Sequence, residues 1–84
     1  MYLSDYNEAK LEILEALEEL GEATVEDVAS MLDRSYESVG MALLRYHRHG
    51  LVSRYKVQGR IRMYSLRDRG MERLDYLRSE FDEG

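Results

Sequence analysis

Six cationic side chains, Arg34, Arg48, Arg54, Lys56, Arg60 and Arg62, lie in one short stretch of this chain, and Glu37 is the only acid between them. Guanidinium and ammonium groups at such spacing suit a row of phosphates, because each can meet a phosphate oxygen without any fixed relation to its neighbour. The chain as a whole is acidic, with a formal net charge of -5. That figure hides a segregation. Residues 1–33 carry ten acids against Lys10 alone, whereas residues 34–73 carry ten bases against Glu37, Asp68 and Glu72. A polyanion would be drawn to one side of such a molecule and repelled from the other.

Other chemistry finds little support. The chain has no cysteine, so disulfides, thiolate metal sites and thiol redox switches are excluded. His47 and His49 are two apart on a helix end, so their side chains diverge and no metal site is expected. No Ser/His/Asp set, phosphate-cradling glycine loop or carboxylate pair in a cleft can be assembled, so the expectation is a non-enzyme without cofactor. Glu8, Glu12, Glu15, Glu18, Glu19 and Glu22 recur along one helix as a solvated face. At 84 residues, 44% hydrophobic and 35% charged, the sequence suits one folded domain over 1–84. Nothing in it approaches the roughly 20 apolar residues of a membrane span. The opening MYLSDYNEAK has no basic region followed by an apolar run, so no secretory signal and a cytoplasmic location are expected.

The elements that must position the cations follow from periodicity. Ser4 is placed to cap a first helix over about 4–20, whose stripe is Tyr6, Ala9, Ile13, Ala16, Leu17 and Leu20, with Gly21 to end it. Leu11 and Leu14 fall off that stripe, on a flank with Leu3; they read either as incidental surface leucines or as a dimer seam. Thr24, with Asp27 three residues on, opens a second helix over about 24–32, buried through Val25, Val28, Ala29 and Leu32. After the turn Asp33-Arg34-Ser35, Ser35 caps a third helix over about 35–49, buried through Val39, Ala42, Leu43 and Tyr46 and closed by Gly50.

From Leu51 the period becomes alternating, which indicates a hairpin over about 51–66. A three-residue loop, Gln58 to Arg60, pairs 57 with 61, 55 with 63 and 54 with 64. Tyr55, Val57, Ile61 and Met63 then share one side and Arg54, Lys56 and Arg62 the other. A last helix over about 67–82 buries Leu74, Leu77 and Phe81, with Met71 beside them. The fold class is therefore α+β, mainly helical: a three-helix core, a two-stranded hairpin and a C-terminal helix.

That order is the order of a winged helix-turn-helix, and two motifs add a family resemblance. Val39, Leu43, Tyr46 and Gly50-Leu51-Val52 match the spacing V-x3-L-x2-[LY]-x3-G-L-V that ends the DNA-reading helix of winged-helix transcription regulators. Tyr64-Ser65-Leu66, Gly70 and Arg73-Leu74 resemble the segment that closes the wing in MarR-like and PadR-like regulators. Arg67 departs from that pattern, which usually has a helix-capping threonine there, and Asp68 offers an alternative cap. The resemblance implies a DNA-binding regulator.

The residues support the same use independently. A helix fits the B-DNA major groove, and outward side chains of its N-terminal half meet base edges. Removing the buried stripe from the third helix leaves Tyr36, Ser38, Met41 and Arg45 as base-reading candidates. Arg45 is the sharpest of them, since a guanidinium pairs bidentately with guanine. Gly40 weakens the same helix by about 0.5–1 kcal/mol against alanine; it either lets a backbone approach a partner or has no special role. If all six cations contact phosphate, log K falls with log salt at a slope of about −5.

One domain covers a half-site, so a homodimer on a palindromic double-stranded DNA is expected, in contact through Leu3, Leu11, Leu14, Tyr76 and Phe81. The rival reading is a protein-interaction module. It would engage a partner through the apolar hairpin side (Tyr55, Val57, Ile61, Met63) or the acidic face of the first helix.

Overall fold

The boundaries of α2 and α3 fall where the sequence supplies partners for orphan backbone groups. The computed structural model describes the backbone of residues 5–82 and the side chains of residues 6–80. Along these run α1 (Asp5–Leu20), β1 (Glu22–Ala23), α2 (Val25–Leu32), α3 (Tyr36–Arg48), β2 (Val52–Gln58), β3 (Ile61–Leu66) and α4 (Asp68–Asp82). The cap expected of Ser4 lies outside the described residues. Thr24 Oγ1 accepts from the Asp27 amide at 3.1 Å, and Asp27 Oδ2 accepts from the Thr24 amide at 3.1 Å. This reciprocal box opens α2. Ser35 Oγ accepts from the Ser38 amide at 3.0 Å and opens α3. Asp33 ends α2 in the left-handed region at φ 54°, and Gly50 ends α3 at φ 77°. At α4 the expectation for Asp68 is corrected. The Arg67 carbonyl accepts from the Met71 amide at 3.0 Å, so Arg67 takes the cap position. Asp68 is the acid of the first turn, favoured there by the helix dipole.

The four helices meet in one core. Its largest fully buried side chains include Ile13, Leu14 and Leu17 of α1, Leu43 and Tyr46 of α3, and Leu74 and Leu77 of α4. Burying each leucine contributes about 1.5–3 kcal/mol. Two expectations for α1 fail together. Leu11 and Leu14, read as a surface or dimer flank, are 6% and 0% exposed, whereas Tyr6 and Leu20 are 48% and 43% exposed. The physical reason is that α1 is sandwiched between α2 and α4, so its buried arc is wider than one stripe. Leu11 and Leu14 thus have no free surface for a second copy.

The sheet has three strands in the order β1-β3-β2, one more than the hairpin expected. Gly21, at φ 81°, turns the chain out of α1, and Glu22 and Ala23 then pair antiparallel with Ser65 and Tyr64. A two-residue strand has no period to read. In the hairpin, 54 pairs with 64 and 55 with 63 as expected, but Gln58 rather than Val57 pairs with Ile61. A β-bulge between Lys56 and Gln58 absorbs the extra residue, which increases local twist near the tip. Behind the hairpin, α4 approaches so closely that a Cβ on Gly70 would lie 2.1 Å from the Leu51 carbonyl oxygen. Only glycine fits that crossing.

Candidate nucleic-acid interface

On α3, the buried residues Val39, Ala42, Leu43 and Tyr46 define the side turned to the core. At about 100° per residue, Glu37, Met41 and Arg48 point away from it. Tyr36, Gly40 and Leu44 occupy the flank toward the hairpin, and Ser38 and Arg45 the flank toward α1. Tyr36 and Met41 are each 65% exposed, and Ser38 is exposed. Three of the four base-reading candidates thus stand on accessible parts of α3.

Arg45 does not. Its guanidinium carbon lies 5.0 Å from the Tyr6 ring centre and 5.8 Å from that of Tyr46, and its Nε is buried without a hydrogen-bond partner. Lys10 joins the same cluster, 7% exposed, with Nζ 4.9 Å from the Tyr6 centroid and 5.5 Å from the Tyr46 centroid. Cations over aromatic faces are attracted by the ring quadrupole. Burial pushes the Tyr46 phenol up to about 12. Burial also opposes ionisation of Tyr6, but hydrogen bonding from Arg45 and the charges of Lys10 and Arg45 outweigh it and hold that phenol below its ordinary value. Arg45 is thereby held to α1 and is corrected from base reader to packing residue. Lys10, the lone base of α1, was not anticipated in this cluster, because Tyr46 and Arg45 lie on a helix far along the chain and only Tyr6 is a neighbour on α1.

The six phosphate candidates divide similarly. Arg34 is committed within the molecule: its Nε donates to Glu12 Oε1 at 3.1 Å, and its Nη2 lies 3.1 Å from the same oxygen. That pair ties the α2–α3 turn to α1. Arg48, Arg54, Lys56 and Arg60 are exposed and Arg62 is half-buried; among the described residues none of the five has a carboxylate partner. Arg54 Nε donates to Tyr64 Oη at 3.1 Å, which anchors the stem of the side chain, and Arg62 Nη1 donates to the Gly59 carbonyl at 3.4 Å. Both donors steady guanidinium groups that keep further N–H groups available. His47 Nδ1 meets the Val52 carbonyl oxygen at 3.3 Å and so links the end of α3 to β2.

Between α3 and the hairpin runs a groove of about 480 Å³. Arg54, Arg60 and Arg62 line it from the hairpin, Tyr36, Gly40 and Leu44 from α3, and Thr24, Val25 and Glu26 from the start of α2. Tyr36 was among the residues expected to face outward from this helix, but the contribution of α2 was not readable from the sequence. A Cβ on Gly40 would lie 3.6 Å from Val25 Cγ1, an ordinary contact, so crowding does not dictate glycine there. Among the described residues no group of acids, histidines or cysteines could hold a metal ion, and no helix is long and apolar enough to cross a membrane.

Of the contacts expected between copies, Leu3 lies outside the described residues, as does the side chain of Phe81. Tyr76 is 56% exposed on α4, with the Arg73 guanidinium carbon 5.9 Å from its ring centre. The acidic face of α1 is partly spoken for: Glu15 and Glu18 both accept from Arg78 of α4, and Glu12 from Arg34. Those pairs are half-exposed and contribute modestly.

Comparison with known proteins places this geometry. The family model designated HVO_A0114 matches residues 5–69. Among curated proteins, none matches the sequence. Of solved structures, the YusO protein from Bacillus subtilis is 22% identical and superposes with a TM-score of 0.79, over 84% of this chain and 52% of that one. The Staphylococcus aureus MepR–DNA complex is 28% identical with a TM-score of 0.74, over 96% and 59%. A transcriptional regulator homologue from Pyrococcus horikoshii OT3 is 24% identical with a TM-score of 0.78, over 92% and 79%. The chain therefore has the winged helix-turn-helix fold, with β2 and β3 as the wing, in agreement with the resemblance read from its motifs. MepR and the Pyrococcus horikoshii protein are transcriptional regulators. The chain spans 52% of YusO and 64% of the antimony-specific repressor AntR, so it corresponds to part of those proteins.

Proposed function

The chain belongs to the HVO_A0114 family, and from its winged fold and cationic face we propose that it binds double-stranded DNA as a transcriptional regulator, with α3 in the major groove and the wing on phosphates. The observation that carries the reading is the set Arg48, Arg54, Lys56, Arg60 and Arg62, gathered on α3 and the wing without carboxylate partners among the described residues. In a chain with 17 acids, so many unpaired cations on one unit suit a polyanion that lies outside it. MepR, a structural neighbour, has been solved on DNA, which supports DNA as the partner. Tyr36, Ser38 and Met41 are the base-facing candidates in this reading.

A single domain of this size covers a half-site, so the proposal includes a symmetric dimer on a palindrome, with Tyr76 of α4 the expected contact that is exposed among the described residues. A regulator of DNA is consistent with the cytoplasmic placement expected from the sequence. The second reading, a protein-interaction module, is favoured by Tyr55, Val57 and Ile61, which are 45%, 53% and 51% exposed on the wing. The acidic face of α1 would be its other contact.

Binding to duplex DNA at low and at physiological salt, for the native chain and Arg62→Ala, separates the two. The expected result is binding that weakens with salt, and a loss in the variant that is the same on specific and random duplexes. No detectable duplex binding at low salt would favour the interaction module.

A further inference from the structure

We propose that Glu37 reads cytosine, its carboxylate accepting a hydrogen bond from the N4 amino group in the major groove. The assignment rests on the duplex-binding reading and deepens it, by naming one base that α3 selects and the residue that selects it.

Glu37 stands opposite the core in the first turn of α3. Val39, Ala42, Leu43 and Tyr46 turn one side of the helix inward, and at about 100° per residue Glu37 falls on the far side, with Met41 one turn on. It is exposed there. With α3 in the major groove, a side chain in that place is directed at base edges.

The molecule itself makes no use of this carboxylate. Asp27 of α2 accepts from the Thr24 amide at 3.1 Å. Glu37 stands one position too early in α3 for such a box, because the Ser35 hydroxyl pairs with the Ser38 amide. Arg34, the nearest cation in sequence, reaches Glu12 of α1 instead. Among the described residues Glu37 has no ion-pair partner. The helix dipole favours an acid in this turn, but it favours one on the flanks equally and does not select the outward position.

The surroundings decide the base. Arg48, Arg54, Lys56, Arg60 and Arg62 suit α3 and the wing to phosphates, whereas a carboxylate on the same unit is repelled by them. Glu37 is therefore accommodated only where a donor meets it, since an ionised carboxylate accepts and cannot donate. On the major-groove edge, guanine N7 and O6 and thymine O4 are acceptors, and adenine N6 sits beside the acceptor N7. Cytosine N4 is a donor with no acceptor beside it on its own base. Cytosine thus satisfies Glu37, and every other base leaves it facing acceptors, so the residue discriminates by repulsion as well as by attraction.

Duplexes are selected from a random pool by the native chain, by Glu37→Gln and by Glu37→Ala, each checked for an unchanged thermal midpoint. The native chain should require cytosine in at least one position of its site, with about tenfold weaker binding when that pair is changed. In Glu37→Ala the preference there should vanish while binding to random duplexes tightens, because a repulsive charge is gone. In Glu37→Gln the preference should move toward adenine, whose N6 and N7 suit an amide. A native site without required cytosine, a cytosine preference that both variants retain, or an alanine variant weakened equally on selected and random duplexes would overturn the assignment while duplex binding stands. If the native chain binds no duplex at all, the reading beneath it fails instead.

Discussion

Arg45 on α3 shows how far a residue's type is from its role. Arg45 has the side chain best suited to guanine, yet it packs over Tyr6 and Tyr46. Its pattern signal was ambiguous, because a residue on the flank of a helix belongs to whichever neighbour reaches it. That neighbour, α1, is fixed only by the tertiary crossing. The same crossing explains Leu11 and Leu14: a helix pressed between two others buries more than one stripe, and no periodicity shows how many partners it has. By contrast, Tyr36, Met41 and the exposed wing cations were legible, since a helix N-terminus and a hairpin tip leave side chains few interior partners. Arg45→Ala is expected to lower stability by about 1–2 kcal/mol, from lost cation–π contact and packing around Tyr46. It should leave the ratio of specific to random DNA binding unchanged. Denaturant unfolding and paired binding curves check this; intact stability with eroded sequence preference would return Arg45 to the reading face.

At the scale of elements, the sequence was most informative where local chemistry is decisive. Caps at Thr24 and Ser35 and the stop at Gly50 mark helix ends within a residue or two, because each satisfies specific backbone groups. The wing register was legible up to its tip, where a bulge at Val57 replaced a three-residue loop. Either arrangement keeps 54 opposite 64 and 55 opposite 63, so alternation alone does not distinguish them. The third strand was not legible. Its two residues are held by β3 and by the αL turn at Gly21, not by any pattern of their own. The junction of α4 with Leu51 yields a sharp expectation. Gly70→Ala places a Cβ 2.1 Å from a carbonyl oxygen, so the start of α4 or the root of the wing must shift. The cost should be about 1–3 kcal/mol, in the range of overpacking. An unchanged thermal midpoint would show that the crossing is looser than described.

The whole molecule is a small electrostatic dipole built on a winged helix. Its acids are concentrated on α1, where Glu12, Glu15 and Glu18 engage Arg34 and Arg78, and Arg48, Arg54, Lys56, Arg60 and Arg62 stand on α3 and the wing without carboxylate partners among the described residues. That division leaves five of the six cations picked out by spacing free to meet phosphate, since Arg34 is held by Glu12. The dependence of duplex affinity on salt tests the account most directly, because it counts the phosphates neutralised. With five contacts per chain, log K against log salt should fall with a slope of about −4.5, and Arg62→Ala should reduce its magnitude by about 0.9. A slope near zero, or one that Arg62→Ala leaves untouched, would contradict the claim that the cationic wing and α3 form a DNA-binding surface.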